Sequence, residues 1–381
     1  MQTARSTACR KFIKNTLAKA GVFFKEAWMN DEFYMGLALS EAWKFQILTY
    51  PNPAVGCLIL DENGQILSCK AHEKAGYLHA EPTAILFALC KKSEKFKNDF
   101  IKAYNTKFSS KIKEGEFGLL EPKFIYEFIL KNHSNLLKNA KAYVTLEPCS
   151  HHGKTPPCAN LLKELGFSDV IIGSHDENKI ASGGANLLQS AGVRVKFGIL
   201  KERCYKLLEP FLAYQNGGFS FLKIAISKNG VASGGIITNE LSRTHVHKLR
   251  SVIDTLVIGG NTVRTDRPRL DTRLIKNGKN PDVIIYSRGD KFDETLPLFS
   301  VPDRKVSIQK ELDLKGLCMF EGAGEFLKLA KEGKLANVKW LLIYQSSNFK
   351  NGENLRLDLN LKPLFSGNFE DDSYTWYEIL D

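Results

Sequence analysis

His79-Ala80-Glu81, followed far downstream by Thr145-Leu146-Glu147-Pro148-Cys149-Ser150-His151-His152-Gly153-Lys154-Thr155-Pro156-Pro157-Cys158, decides how this chain is read. The two stretches supply an imidazole, a carboxylate and two thiols. That is the inventory of a catalytic zinc centre: three protein ligands, a fourth position left for water, and a nearby acid that is not a ligand. Zinc lowers the pKa of bound water from about 15.7 to about 7, so hydroxide becomes available at neutral pH. His79, Cys149 and Cys158 are the candidate ligands for zinc (Zn2+), and Glu81 is the candidate proton carrier. The competing reading is a structural zinc site. Such sites take four protein ligands, and they have no use for an adjacent acid. His151 and His152 are read as loop residues, because a fourth protein ligand would close the site to water.

A length of 381 residues predicts two domains or three. Hydrophobic residues make up 43% of the chain and charged residues 25%, enough for ordinary globular cores. No apolar run reaches the ~20 residues that span a bilayer, so no membrane partner is expected. Eight cysteines are scattered along a chain with no recognisable secretory leader, which predicts free thiols and a cytoplasmic location rather than a disulfide framework. The net charge of +11 raises nucleic acid as a partner, but its location argues against one. Residues 1–28 carry six Lys/Arg and one Glu, and residues 91–139 carry eleven Lys and six Asp/Glu, so each stretch contributes +5. The basicity therefore lies outside the chemical motifs, where it is a solvated surface or a weak attractant for phosphate ligands.

Residues 1–28 read as a basic, weakly amphipathic extension of unclear role. Met29-Asn30-Asp31 opens the first domain, predicted over 29–199, with Asn30 capping a helix from Glu32 to Phe45. A strand at Cys57–Leu60, the turn Asp61-Glu62-Asn63-Gly64 and a returning strand at Gln65–Cys69 form a hairpin. A helix opened by His79 runs to about Cys90, with Pro82 in its first turn. Residues 91–139 interrupt the pattern as a lysine-rich insertion with little periodicity before a helix at Pro122–Leu130. Strand Ala142–Leu146 then delivers Pro148-Cys149, and helix Pro157–Leu165, strand Asp169–Gly173, helix Asn186–Ala191 and strand Arg194–Phe197 follow. This alternation predicts an α/β fold, a sheet covered by helices. Residues 200–218 are the expected connector to a second α/β domain over 219–381. There the predicted elements are strand Phe219–Ser227, helix Asn239–Ser251, and strands Thr255–Ile258, Val283–Tyr286 and Trp340–Tyr344. Gly259-Gly260 lets backbone approach a ligand, and Asn261 and Thr262 can cap the helix that follows. Arg264, Arg267, Arg269 and Arg273 offer phosphate grips, although a single arginine of this kind more often faces solvent. Glu321-Gly322-Ala323-Gly324 is a second glycine turn after a strand. Asn348 to Asp381 reads as a short, diverged tail.

With those residues in hand, a family resemblance emerges. Thr49-Tyr50-Pro51-Asn52-Pro53-Ala54-Val55-Gly56, His79-Ala80-Glu81 and the long stretch from Thr145 to Cys158 resemble the bifunctional deaminase/reductase of riboflavin biosynthesis, over roughly residues 29 to 345. The likeness also accounts for the wide gap between Cys149 and Cys158. It implies a cytidine-deaminase-like zinc domain followed by a dihydrofolate-reductase-like α/β domain. The implied substrate is 2,5-diamino-6-ribosylamino-4(3H)-pyrimidinone 5′-phosphate, a small-molecule pyrimidine ribosyl phosphate. Deamination at the carbon bearing the 2-amino group would be followed by NADPH-dependent reduction of the ribosyl group to ribityl. By motif position, Asn52, His72 and Lys154 would contact the first substrate. In the second half the resemblance assigns Lys223, Arg250, Asp266, Leu270, Arg273 and Glu321 to substrate. It assigns Ala225, Ile236, Thr262, Ser287, Gly322, Ala323 and Gly324 to NADPH. The family usually continues its opening strand with Ser-Leu-Asp-Gly, whereas this chain has Ser227-Lys228-Asn229-Gly230.

Two other functions remain open at this level. A nucleic-acid deaminase shares the H-x-E and P-C elements. It needs no second α/β domain, and its cysteines are more closely spaced. A deaminase joined to a decayed reductase fits the departure at Asn229 and the diverged tail. A homo-oligomer through the reductase domain is compatible with either arrangement.

Overall fold

A computed structural model describes residues 30–151, 156–175, 183–335 and 338–380. Two compact units emerge from the contacts: Ala54–Leu207 with the described residues before Gln46, and Gln46–Pro53 with Leu208–Asp381. The short segment Gln46–Pro53 joins the second unit through Tyr50, whose hydroxyl donates to Asp254 Oδ2 (2.8 Å) and whose ring meets Tyr214 edge-on. Among the described residues all seven cysteines are free, and no helix is long and apolar enough to cross a membrane.

The first unit opens with α1 (Asp31–Trp43), capped as expected by Asn30, whose Oδ1 accepts from Phe33 N–H (3.0 Å). Strands β1 (Gly56–Leu60) and β2 (Ile66–Ala71) form the predicted hairpin. Asp61 Oδ1 holds its turn by accepting from Asn63 N–H and Gln65 N–H at 2.9 and 2.8 Å. Helix α2 (Ala80–Lys92) crosses both strands, and α1 packs on the same sheet. Strand β1 is buried along its whole length.

Residues 91–139 are more ordered than their sequence predicts. They hold α3 (Glu94–Phe108), a 3-10 turn at Glu114–Leu119 and α4 (Pro122–Asn132). The expectation of weak periodicity overlooked a single stripe in α3. Phe96, Phe100 and Tyr104 recur every fourth residue and are buried, while between them Lys102 is exposed and Lys97 is half-buried. The Phe100 ring meets Phe117 at 5.2 Å and Phe128 at 5.4 Å, so the insertion carries an aromatic core of its own. Strand β3 (Lys141–Leu146), α5 (Cys158–Glu164), β4 (Asp169–Ser174), α6 (Gly184–Ser190) and β5 (Arg194–Phe197) complete the unit. The sheet order is β2-β1-β3-β4-β5, antiparallel in its first two pairings and parallel in its last two.

The expected connector is mostly a helix, α7 (Lys201–Gln215), and the division between the units falls inside it. In the second unit β6 (Gly218–Ile226), α8 (Glu240–Arg250), β7 (Thr255–Gly259), α9 (Gly260–Asp266), β8 (Asp282–Tyr286), β9 (Val306–Gln309), β10 (Gly316–Glu321), α10 (Gly324–Lys331) and β11 (Val338–Gln345) follow in order. The reading of residues 348–381 as a mere tail is corrected. Strands β12 (Asn360–Phe369) and β13 (Asp372–Leu380) form a hairpin that extends the sheet, in the order β12-β13-β11-β6-β10-β7-β8-β9. The buried Trp376 of β13 packs on Phe221 (5.3 Å) and Trp340 (5.8 Å). From β11 to β9 the neighbouring strands are parallel, so their carboxyl ends share one edge.

Candidate active site

In the first unit three elements bring the expected ligands together. His79 is the N-cap of α2, with extended backbone and no side-chain capping bond, so its ring is not spent on the helix terminus. Cys149 lies in the loop after β3, and Cys158 is the first residue of α5. Their ligand atoms all lie within 4.8 Å of one another. His79 Nδ1 is 3.4 Å from Cys158 Sγ and 3.9 Å from Cys149 Sγ. The Cys158 N–H donates to Cys149 Sγ at 3.4 Å. Glu147 explains why the Cys149 loop runs where it does. Its Oε1 accepts from Gly183 N–H and Ala185 N–H, both at 3.1 Å, at the start of α6. A Cβ on Gly184 would lie 1.8 Å from the Pro148 carbonyl oxygen, so only glycine lets α6 approach the Pro148-Cys149 turn.

Glu81, in the first turn of α2, is buried. Burial pushes its carboxyl up to about 7, with the Cys149 charge adding to the rise and His79 opposing it. Hydrogen bonding from Cys158 pulls the Cys149 thiol down to about 4; burial works against this, and His79 reinforces it. Burial holds the Cys158 thiol high. One nitrogen and two sulfurs therefore crowd together around shared protons, and a soft divalent cation displaces such protons on binding. This donor set, with an unligated acid beside it, fits zinc in a catalytic arrangement.

The other candidates of the first half are placed unevenly. His72 is 2% exposed, its Nδ1 is 2.7 Å from the Leu78 carbonyl oxygen, and its ring stands edge-on to His79 at 5.5 Å. Burial, then His79, lowers its pKa to about 4, so it is neutral. Asn52 belongs to the turn that clusters with the second unit, where its backbone is tied to Thr49. Lys154 lies outside the described residues. One contact was missed in the sequence: the Tyr126 hydroxyl of α4 is 3.3 Å from Cys158 Sγ. Nothing in the chain's motifs marks Tyr126, because the partners are 32 residues apart and belong to different helices.

In the second unit the candidates collect at the carboxyl ends of the parallel strands, where open α/β sheets bind ligands. Ala225 lies at the end of β6, Thr262 follows β7, Ser287 follows β8, and Gly322, Ala323 and Gly324 follow β10. Asn261 and Thr262 do not cap a helix as expected. Strand β7 runs directly into α9, Gly259 is the N-cap, and both residues lie within the helix. A Cβ on Gly260 would come within 2.7 Å of the Ser287 side chain, which accounts for the glycine. Lys223, Arg250 and Glu321 are brought together. The Arg250 guanidinium grips Glu321 through Nε (2.6 Å) and Nη2 (2.8 Å), and Lys223 Nζ adds a third contact at 3.1 Å. Burial alone would raise the Glu321 pKa, but Arg250 and then Lys223 outweigh it and hold the carboxyl well below the usual range. Leu270 is buried, Arg273 pairs with Asp271, Asp266 is exposed, and Ile236 is 72% exposed. Asn229, the departure from the expected Asp, reads one backbone unit in both directions. Its Nδ2 donates to Lys350 O (2.9 Å) and its Oδ1 accepts from Lys350 N–H (3.0 Å). Lys350 Nζ in turn donates to the carbonyls of Gly234 and Ile236. An aspartate could not make the first of these bonds.

Fold and site define a two-unit α/β protein with a deaminase-type His/Cys cluster ahead of a reductase-type parallel sheet. Residues 29–174 match the cytidine and deoxycytidylate deaminase zinc-binding region, and residues 225–315 match the RibD C-terminal domain. The riboflavin biosynthesis protein RibD of Actinobacillus pleuropneumoniae is 35% identical over 265 residues, covering 68% of this chain and 58% of the relative. RibD of Aquifex aeolicus is 33% identical over 263 residues, covering 67% and 61%. The chain thus aligns with about three fifths of these curated relatives. A solved structure from Thermotoga maritima, described as a diaminohydroxyphosphoribosylaminopyrimidine deaminase/5-amino-6-(5-phosphoribosylamino)uracil reductase, superposes with a TM-score of 0.56 at 23% identity, over 92% of this chain and 99% of that one, and shares its fold. The chain belongs to the RibD family of riboflavin biosynthesis proteins.

Proposed function

We propose that this chain deaminates 2,5-diamino-6-ribosylamino-4(3H)-pyrimidinone 5′-phosphate in its first unit and reduces the ribosyl group to ribityl with NADPH in its second. One observation carries the reading: His79, Cys149 and Cys158 present their ligand atoms within 4.8 Å of one another, with Glu81 buried close by. His79, Cys149 and Cys158 would hold zinc. When bound, zinc supplies Lewis acidity that brings the pKa of water near 7. Glu81 does the proton work. With a carboxyl near 7 it can take a proton from the attacking water and return it to the leaving amine, so that ammonia departs. His72, neutral and buried beside His79, offers a ring to orient the pyrimidine. Lys154 is proposed to neutralise the substrate phosphate.

In the second unit the junction of β7 with α9 and the turn after β10 would hold the cofactor. Gly322 adopts a φ of 142°, and nothing lies within 4 Å of a Cβ built on Gly324, so backbone is open to a phosphate-bearing ligand. NADPH, when bound, supplies the hydride. Lys223 and Arg250, tied to Glu321, orient the sugar and its phosphate. A cytoplasmic location suits these soluble reactants. The test is to incubate purified full-length protein with the diaminopyrimidine phosphate, with and without NADPH, and to follow ammonia and cofactor absorbance. Ammonia release without NADPH, then cofactor oxidation on its addition, is expected. Release of ammonia from RNA but not from the free pyrimidine phosphate contradicts the reading.

A further inference from the structure

The insertion at 91–139 has no part in the function described so far, yet it reaches the metal cluster. We propose that Tyr126 is a positioning residue for the metal, donating an outer hydrogen bond to the Cys158 sulfur, and that the insertion exists in part to hold it there. This rests on the reading of His79, Cys149 and Cys158 as zinc ligands.

The Tyr126 hydroxyl stands 3.3 Å from Cys158 Sγ, and the residue is 2% exposed. A cysteine that binds a metal does so as thiolate, which can only accept. The phenol is then the donor. Outer-shell donors of this kind orient a ligand and draw charge from it. The two sulfurs are served alike: Cys149 accepts from the backbone N–H of Cys158, and Cys158 accepts from Tyr126. The Cys149 donor comes from the ligand loop itself, whereas the Tyr126 donor to Cys158 comes from the insertion.

The mount for Tyr126 is rigid. Helix α4 opens with Pro122 at its first position, and Glu121 Oε2 accepts from Phe124 N–H at 2.7 Å. The Glu121 N–H donates to the Tyr104 hydroxyl of α3 at 3.1 Å. Phe124 and Phe128 pack with Phe100 and Tyr104 in the insertion's aromatic core. Helix α4 packs against both α2, which follows His79, and α5, which begins with Cys158. A sulfur-directed hydroxyl fixed by this framework costs little ordering when the metal binds.

The experiment compares full-length wild type with Tyr126→Phe and Phe128→Leu. Tyr126→Phe keeps the ring and removes only the hydroxyl. Phe128→Leu disturbs the same core without touching sulfur. Zinc affinity is measured by chelator competition, and the sulfur-to-metal charge-transfer band is recorded after substitution with cobalt(II). Tyr126→Phe should weaken zinc binding by roughly tenfold or more. It should also move the band to longer wavelength, because a thiolate without its donor holds its electrons less tightly. Phe128→Leu should do neither. Wild-type affinity and spectrum in Tyr126→Phe overturn the proposal, as does an equal effect from Phe128→Leu. Wild type that takes up neither zinc nor cobalt overturns the metal reading as well, which separates the two failures.

Discussion

Glu81 in the first unit and Glu321 in the second are both buried, at 4% and 7% exposure, yet they are held at opposite ends of the carboxyl range. Around Glu81 burial dominates and its carboxyl rises to about 7, where it can gain and lose a proton at working pH. Around Glu321 burial is overcome by Arg250 and Lys223, and the group stays ionised. The difference lies in the neighbours rather than in depth. An acid left beside thiols can move protons. An acid gripped by a guanidinium and an ammonium fixes the position of those cations instead. On the proposed reading Glu321 is therefore a positioning group rather than a source of protons.

Removing the movable acid should have the largest effect. Glu81→Gln should keep its zinc, measured by elemental analysis, while ammonia release falls by about 10²–10⁴. Removing the fixed acid should act on stability as much as on activity. Glu321→Gln leaves Arg250 and Lys223 buried without their counter-charge, a change worth about 3–5 kcal/mol. Calorimetry should show the second unit melting earlier and NADPH oxidation lost, with deamination retained; a simultaneous loss of ammonia release would break the comparison. His245 sharpens it, as a buried group kept neutral. Its Nδ1 shares a 2.5 Å hydrogen bond with the Tyr344 hydroxyl, and burial, aided by Lys248, lowers its pKa to about 3. Its folded pKa lies below its unfolded value of about 6.5, so its contribution is full above that pH. The contribution falls by about 1.4 kcal/mol per pH unit as acid is added toward the folded value. His245→Gln should flatten this acid dependence of the second unit's unfolding midpoint. The smallest effect is expected at Asn229. Asn229→Asp removes one of its two bonds to Lys350, a loss of about 1 kcal/mol. It should raise the KM for NADPH several-fold while leaving ammonia release unchanged.

The legible part of the chain was its local chemistry. His79, Glu81, Cys149 and Cys158 sit in short motifs whose residue types suit a metal site, so the gathering of His79, Cys149 and Cys158 could be expected. The helix capped by Asn30 announced itself in the same way. What was not legible depends on partners distant along the chain. Lys223, Arg250 and Glu321 were nominated one by one, but their ion pairing spans 98 and 71 residues. Helix α3 was hidden because one narrow aromatic stripe runs between lysines. The closing hairpin was hidden because β12 alternates exposed and half-buried residues without a strong apolar pattern. The helix start near Asn261 was misplaced because β7 passes into α9 with a glycine rather than a polar cap.

The central claim is a metal centre built from one nitrogen and two sulfurs in the first unit. Its most direct test is the zinc content of purified full-length protein beside that of Cys149→Ala, with ammonia release measured on the same samples. The account predicts one zinc per chain in wild type, and both zinc and turnover lost in the variant. Active wild type without zinc, or full turnover in Cys149→Ala, would contradict it.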